Sequence, residues 1–256
     1  MTIPIYVINL ERDTERLTSI SKNLGSLGLE FERVPAVLGA GYTDDPRTVD
    51  LRRYPKRNRH PKPRNGETGC YLSHLRACER LLLSEHPWCV ILEDDAECLP
   101  ELPGVLAALD QRDDWDMAKL FCFHGGTPVP VGRLASGQKL CVHLTRTTST
   151  AGYAINRRAA ETLLRTLLPM YTQIDHAMDR PWETGLRIRG VRPLPVRLAP
   201  LAAATTLGKK DKKSSRTSNP GLLLWRGSNE TCRVMNGIAE CARALLAKCW
   251  HVKSPP

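Results

Sequence analysis

The chain has 256 residues, 41% of them hydrophobic, which is enough to bury a sizeable core as one domain with appendages and excludes wholesale disorder. A formal net charge of +10 and a pI near 9.3 favour an anionic partner: nucleic acid, anionic lipid or a phosphorylated substrate. Aromatic residues make up only 5%, which weakens the case for a stacking platform for single-stranded nucleic acid.

Ile3 to Leu10 is apolar and β-branched and predicts a buried first strand. Glu11 to Leu17 turns into a helix that Asp13 can cap, with Leu17, Ile20 and Leu24 at core spacing and Gly25 and Gly28 ending it. A second strand over Glu30 to Val37 completes a strand–helix–strand unit, which predicts a parallel pair. No Gly-x-Gly-x-x-Gly follows the first strand, so a dinucleotide fingerprint is absent. Arg12 and Arg16 fall near that strand's tip, either as a solvated helix face or where a nucleotide would lie. Gly39 to Asn65 is long and irregular. Within it Arg52, Arg53, Lys56, Arg57, Arg59, Lys62 and Arg64 occur with no acidic residue between them, interleaved with prolines. Such a segment is expected to be a mobile loop, serving either solubility or capture of an anionic ligand.

Tyr71, Leu75, Cys78 and Leu82 share one face of an amphipathic helix over Gly69 to Leu83, with Ser73 and His74 inside it. Trp88 to Leu92 then reads as a buried strand that ends abruptly in Glu93-Asp94-Asp95. Like charges so close raise one another's pKa values. They are tolerable as a solvated turn, or where a hard divalent cation bridges them to phosphate oxygens. In α/β sheets ligands bind beyond the carboxyl ends of strands, which is where this tip lies.

Pro103 to Leu109 predicts a short helix, Met117 to Phe123 a strand, and the stretch with Pro128, Pro130 and Gly132 a loop. A short strand over Lys139 to Leu144 precedes another over Thr150 to Ile155, where Gly152 marks close backbone approach. Asn156 caps a helix over Arg157 to Leu168. A second acidic cluster, Asp175, Asp179 and Glu183 with His176, is either a solvated helix face or part of a site. Val191 to Leu198 reads as a last, edge strand because of Pro193 and Pro195. Residues 1–200 thus form one domain. Residues 201–256 carry a basic linker, Gly208 to Asn219, and an amphipathic helix, Ile238 to Trp250, that either lies on an anionic membrane or packs back on the domain. The nine scattered cysteines form no Cys-x-x-Cys and suit buried, reduced thiols of a cytosolic protein. No apolar run approaches the roughly 18 residues of a membrane span.

Several segments, taken in order over roughly residues 3–200, resemble glycosyltransferase family 25, the group of lipooligosaccharide β-galactosyltransferases and collagen galactosyltransferases. They are Pro4 to Arg12 with Arg16, Gly66 to His74, Ile91 to Ala96, Ala151 to Ile155 ahead of Arg158 to Ala160, and Asp175-His176 with Asp179. Thr68 stands in place of the usual aliphatic residue and Leu38 where the family often has an acid, and the tail after Pro200 matches no recognised pattern. The resemblance implies a GT-A-like fold, a Rossmann-like α/β/α sandwich with a mostly parallel central sheet. It also implies inverting, metal-dependent transfer of galactose or glucose from a UDP-sugar to a lipooligosaccharide- or lipopolysaccharide-type hydroxyl, making a β-linkage.

On that reading Asp95, with His176, holds Mn2+ or Mg2+, and Asn9, Arg12, Arg16, Gly69, Ser73, Glu93 and Asp94 bind the nucleotide sugar. Asp175 and Asp179, with Glu183 behind them, supply the base or a second metal shell. Arg57 and Arg59 receive an anionic oligosaccharide or glycolipid. The setting is cytoplasmic, with peripheral contact to the anionic inner membrane. Two rival readings are a UDP-sugar-binding domain without turnover and a basic nucleic-acid-binding protein. The latter leaves the acidic clusters unexplained, so nucleic acid is not expected as a partner.

Overall fold

A computed structural model describes residues 3–200 and 220–252. Strand β1 (Ile5–Asn9) shows how one chain segment builds two cores. Successive side chains of a strand leave opposite faces. Ile5 and Val7 therefore pack with Ile20 and Leu24 of α1 (Thr14–Ser26) and with Leu102, Val105 and Leu106 of α4 (Leu102–Asp110). Tyr6 and Ile8 pack with Tyr71, Leu75 and Cys78 of α3 (Asn65–Leu82) and with Ala159, Ala160 and Leu163 of α5 (Arg157–Thr166). One sheet with a core on each face is the expected α/β/α sandwich.

The sheet adds β2 (Glu32–Pro35), β3 (Trp88–Glu93), β5 (Met117–Lys119), β6 (Pro128–Arg133), β7 (Lys139–His143), β8 (Gly152–Asn156) and β9 (Ile188–Arg192), in the order β2-β1-β3-β8-β5-β9-β7-β6. β1 pairs parallel with both β2 and β3, as the strand–helix–strand opening requires. β1, β2, β3, β5, β6 and β9 run one way and only β7 and β8 run against them, so the sheet is mostly parallel in direction. This shared direction delivers the carboxyl ends of β1, β2 and β3 to one edge. The antiparallel β8 begins at that same edge, where Glu93 N–H donates to Ala151 O at 3.0 Å.

Four expectations need correction. The basic stretch is anchored rather than mobile: Val49 bridges to Met170, and fully buried Tyr54 opens the short helix α2 (Tyr54–Arg57) and donates its hydroxyl to Glu67. Asn58 ties it down again, donating to the carbonyls of Tyr54 and Tyr171 at 2.8 and 2.9 Å. The loop with Pro128 and Pro130 is the edge strand β6, where a missing N–H costs no ladder bond, with a register shift between Pro130 and Gly132. The strand expected over Val191 to Leu198 breaks in two at the prolines: β9 stays in the main sheet, and β10 (Val196–Leu198) pairs with β4 (Ala96–Cys98). Asp13 stands at the start of α1, but its side chain makes no cap bond.

Asn156 does cap α5, accepting from Ala159 N–H at 2.9 Å. A Cβ on Gly152 would lie 3.2 Å from Leu92 and 3.3 Å from Val196, the close approach expected there. The last helix, α8 (Pro220–Val252), begins 18 residues before the expected start at Ile238 and packs back on the domain through Leu222, Arg233, Gly237 and Glu240. The expected linker, Gly208 to Asn219, lies outside the described residues.

Candidate active site

The edge where β1, β2 and β3 end opens into a cleft of about 460 Å3. Its walls are the β1–α1 turn, the loop after β2, the first turns of α3 and the acidic tip of β3. Two glycines let these walls meet. A Cβ on Gly39 would lie 1.9 Å from Asn65 O, and one on Gly69 would lie 2.4 Å from Val37 O, so neither position admits a side chain without moving backbone. Ser73 pins the same contact, donating to Gly69 O at 2.6 Å and accepting from Val37 N–H at 2.8 Å.

The three carboxylates at the tip have unlike environments. Glu93 accepts from Thr150 Oγ1 at 2.6 Å and lies 3.3 Å from His74 Nε2, whose other ring nitrogen is 3.0 Å from the Tyr153 hydroxyl. Burial opposes ionisation of Glu93, but the His74 and Thr150 contacts and nearby Arg16 outweigh it and hold the carboxyl below its ordinary range. Asp94 is clamped by Asn9 Nδ2 at 2.7 Å and Arg16 Nη1 at 3.0 Å, yet burial leaves its pKa raised. Asp95 is the exception. Burial, then Glu93 and Asp94, push it up to about 7 against the pull of Arg16, which is 3.9 Å away. Its Oδ1 is buried without a hydrogen-bond partner, as is Oδ2 of Asp13 on the same cleft wall. An unpartnered buried oxygen forfeits about 1–3 kcal/mol of solvation. A hard cation coordinated by oxygen would recover it, so the donor chemistry here fits Mg2+ or Mn2+.

Of the residues expected to bind the nucleotide sugar, Asn9, Arg12, Arg16, Ser73, Glu93 and Asp94 line the cleft together with Asp95, and Gly69 stands directly behind it. Several act by holding others. Asn9, only 1% exposed, also donates to Asp13 O and accepts from Arg33. Arg12 reaches solvent at the mouth.

The second acidic cluster is split. On the short helix α6 (Ile174–Met178), half-buried Asp175 accepts from Ser149 N–H at 3.4 Å and adds to the negative field that, after burial, raises the Cys70 thiol on the cleft wall. It sits under a strained turn in which Thr148 and Ser149 have φ of 41° and 84°. Neighbouring His176 has its pKa lowered by burial and is not among the residues lining the cleft. None of the three carboxylates of this cluster, Asp175, Asp179 or Glu183, is among the residues lining the cleft, against the expectation that they supply its base. Asp179 is buried against Lys119 Nζ and Arg233 Nη2, each at 3.3 Å, and takes Thr147 Oγ1 at 3.1 Å; these cations outweigh its burial and hold its pKa low. Glu183, on α7 (Pro181–Thr184), is bound by Arg180 and by the Tyr171 hydroxyl. The cationic partners of Asp179 come from 60 and 54 positions away, beyond any local pattern, whereas Arg180 and Glu183 form a pair three residues apart that the sequence spacing shows.

Arg57 is stacked on Trp225 of α8 at 4.9 Å, whereas Arg59 is exposed and adds, with Arg146, to the positive field at Arg226. The sequence reading gave no site role to Asp13, Cys70, Thr150 or Arg146. Only Cys70 carried a local signal, its spacing of four from His74 on a helix.

Residues 2–124 match the family described as "Glycosyltransferase family 25 (LPS biosynthesis protein)". A "Glycosyltransferase 25 family member" of Anopheles gambiae is 32% identical over 202 residues, covering 72% of this chain and 34% of the relative. The first half of the chain is thus similar to glycosyltransferase family 25. An Aedes aegypti member of the same description is 37% identical over 121 residues, covering 44% of this chain and 20% of that one. This chain therefore spans about a third or less of the length of the family members it matches. A crystal structure of a galactosyltransferase, LgtC, in complex with donor and acceptor sugar analogues, superposes with a TM-score of 0.42 at 12% identity, over 89% of this chain and 96% of that one. The family match covers β1 to β5 and so contains the whole acidic cleft, but it ends before Asp175.

Proposed function

We propose that the cleft binds a UDP-sugar and that the chain transfers its galactose or glucose, with inversion, to a hydroxyl of an anionic oligosaccharide or glycolipid. The observation that carries this is Asp95: a half-buried carboxylate with one buried, unpartnered oxygen, at a strand tip, facing a cleft wide enough for a nucleotide. The parallel strand ends and the acidic tip are what a GT-A-type donor site requires.

Asp95 would hold Mn2+ or Mg2+, with Asp94 kept in place behind it by Asn9 and Arg16. The ion supplies positive charge that stabilises the departing diphosphate. Arg12 adds charge at the mouth, and the loop from Val37 to Ala40, fixed on α3 by Ser73, walls the nucleoside. Inversion is one in-line displacement. The bond from the anomeric carbon to the diphosphate oxygen breaks as the bond to the acceptor oxygen forms, and the acceptor's proton passes to a carboxylate. Asp175 is the member of the second acidic cluster that this reading selects as base, because Asp179 and Glu183 are tied in ion pairs. General-base assistance of this kind is worth roughly 10²–10⁴-fold.

Arg59, Arg146 and Arg226 share one positive field, which would suit a phosphorylated acceptor. Among the described residues no helix is long and apolar enough to cross a membrane. The outward apolar stripe of α8, with Leu224, Met235, Ile238 and Leu245 between 57% and 77% exposed, supports peripheral contact with an anionic bilayer instead.

The test is a screen of UDP-sugars for metal-dependent hydrolysis and transfer, run on the native chain and on Asp95→Asn. Turnover that needs a divalent ion and is lost in the variant supports the assignment. Turnover at native level with unchanged metal dependence removes Asp95 from the role. For the base, Asp175→Asn should lose turnover while retaining UDP binding.

A further inference from the structure

Cys70 and His74 lie four residues apart on α3, so both side chains leave the same face of the helix, toward the tip of β3. Sγ of Cys70, a ring nitrogen of His74 and a carboxylate oxygen of Glu93 all lie within 4.8 Å of one another. His74 Nε2 and Glu93 Oε1 are already 3.3 Å apart. Two ligands on bonds of about 2.0–2.2 Å span about that distance across a tetrahedral angle. We propose that Cys70, His74 and Glu93 form a seat for a thiophilic divalent cation of the Zn2+ type, chemically distinct from the oxygen-donor tip at Asp94 and Asp95.

The supporting shell is in place. His74 Nδ1 faces the Tyr153 hydroxyl at 3.0 Å, and Glu93 takes the Thr150 hydroxyl at 2.6 Å. Outer partners of this kind fix the tautomer and orientation of metal ligands. His74 and Tyr153 are 1% and 2% exposed, so the imidazole has no room to swing away. Sulfur decides the metal class: thiolate and imidazole select Zn2+ or Co2+, whereas Mg2+ and Mn2+ prefer oxygen. Three protein ligands leave the fourth position of a tetrahedral ion open, and all three residues line the cleft into which it would face. On binding, the Cys70 S–H bond gives its proton to solvent as the sulfur–metal bond forms, and no electron changes hands. The alternative is a buried His74–Glu93 pair with Cys70 as apolar filling, and it binds no ion.

The experiment is a Co2+ titration of the full chain after chelator treatment, followed by absorption spectroscopy, with calorimetry of Zn2+ binding. The expected result is a thiolate-to-cobalt charge-transfer band that saturates at one equivalent and is abolished by Zn2+. Cys70→Ser, or Cys70→Ala should serine disturb folding, loses the band and weakens Zn2+ binding about ten-fold or more. Asp95→Asn keeps the band. The proposal is overturned if the native chain shows no such band, if Cys70→Ser retains it, or if Zn2+ affinity is unchanged in that variant. The readout needs no sugar nucleotide, so a chain that transfers no sugar can still carry the seat, and an active transferase can lack it.

Discussion

Replacing Asp95 by asparagine keeps the shape of the side chain and removes its charge, and the metal-free protein should become more stable for it. The carboxyl is held at about 7 in the folded chain against an ordinary value of 3.8. An acid whose folded pKa is raised costs nothing below the unfolded pKa. The cost grows as pH climbs from about 4 and is complete above about 7. At about 1.4 kcal/mol per pH unit, the ceiling is about 4 kcal/mol at pH 8 and about 2 kcal/mol at pH 5. The side chain retains 21% exposure and has Arg16 at 3.9 Å, so the measured values should fall below these ceilings. Urea unfolding in chelator at both pH values checks this. Asp95→Asn should gain about 1–4 kcal/mol at pH 8 and about half as much at pH 5. Mg2+ or Mn2+ at a hundred times its Kd should then add about 2.7 kcal/mol to the native chain and far less to the variant. A variant no more stable than the native chain at pH 8, or a gain independent of pH, would refute the reasoning.

Asp179→Asn leaves Lys119 buried without its counter-charge and Arg233 with Glu230 alone, and should cost about 3–5 kcal/mol in chemical unfolding, a structural penalty rather than the loss of a base. Gly39→Ala and Gly69→Ala must each push backbone aside, so a loss of about 1–3 kcal/mol together with weakened UDP binding is expected by thermal unfolding and calorimetry. Arg16→Ala removes the guanidinium shared by Asp94 and Asp95. It should raise the pH at which divalent ions bind, read by calorimetry at pH 6, 7 and 8. Reversing Arg59 and Arg226 to glutamate should raise KM for a phosphorylated acceptor and spare UDP binding; equal loss of both would remove these residues from the acceptor role.

Much of the architecture was legible because it is written locally. The apolar run of β1, the core spacing in α1 and α3, the Asn156 cap and the acidic end of β3 each follow from residues within a few positions of one another. The basic stretch was misread because its anchors are remote: Val49 meets Met170, and Asn58 reaches Tyr171. Its charge density said solvent, while single buried side chains such as Tyr54 decided its place. The edge strand β6 was hidden by its prolines, which only an edge tolerates.

At the site the division is similar. The sequence alone determined that carboxylates crowd the tip of a buried strand and that Arg12 and Arg16 fall near another strand's tip, because strand ends and helix starts carry their own signals; Asn9 and Gly69 came in through the family resemblance. Only the tertiary structure decided which carboxylates are free. Asp94, Asp95, Asp175 and Asp179 look alike as letters. The counter-charges and desolvation that separate them come from residues such as Arg16, Lys119 and Arg233, brought close by folding from as far as 78 positions away.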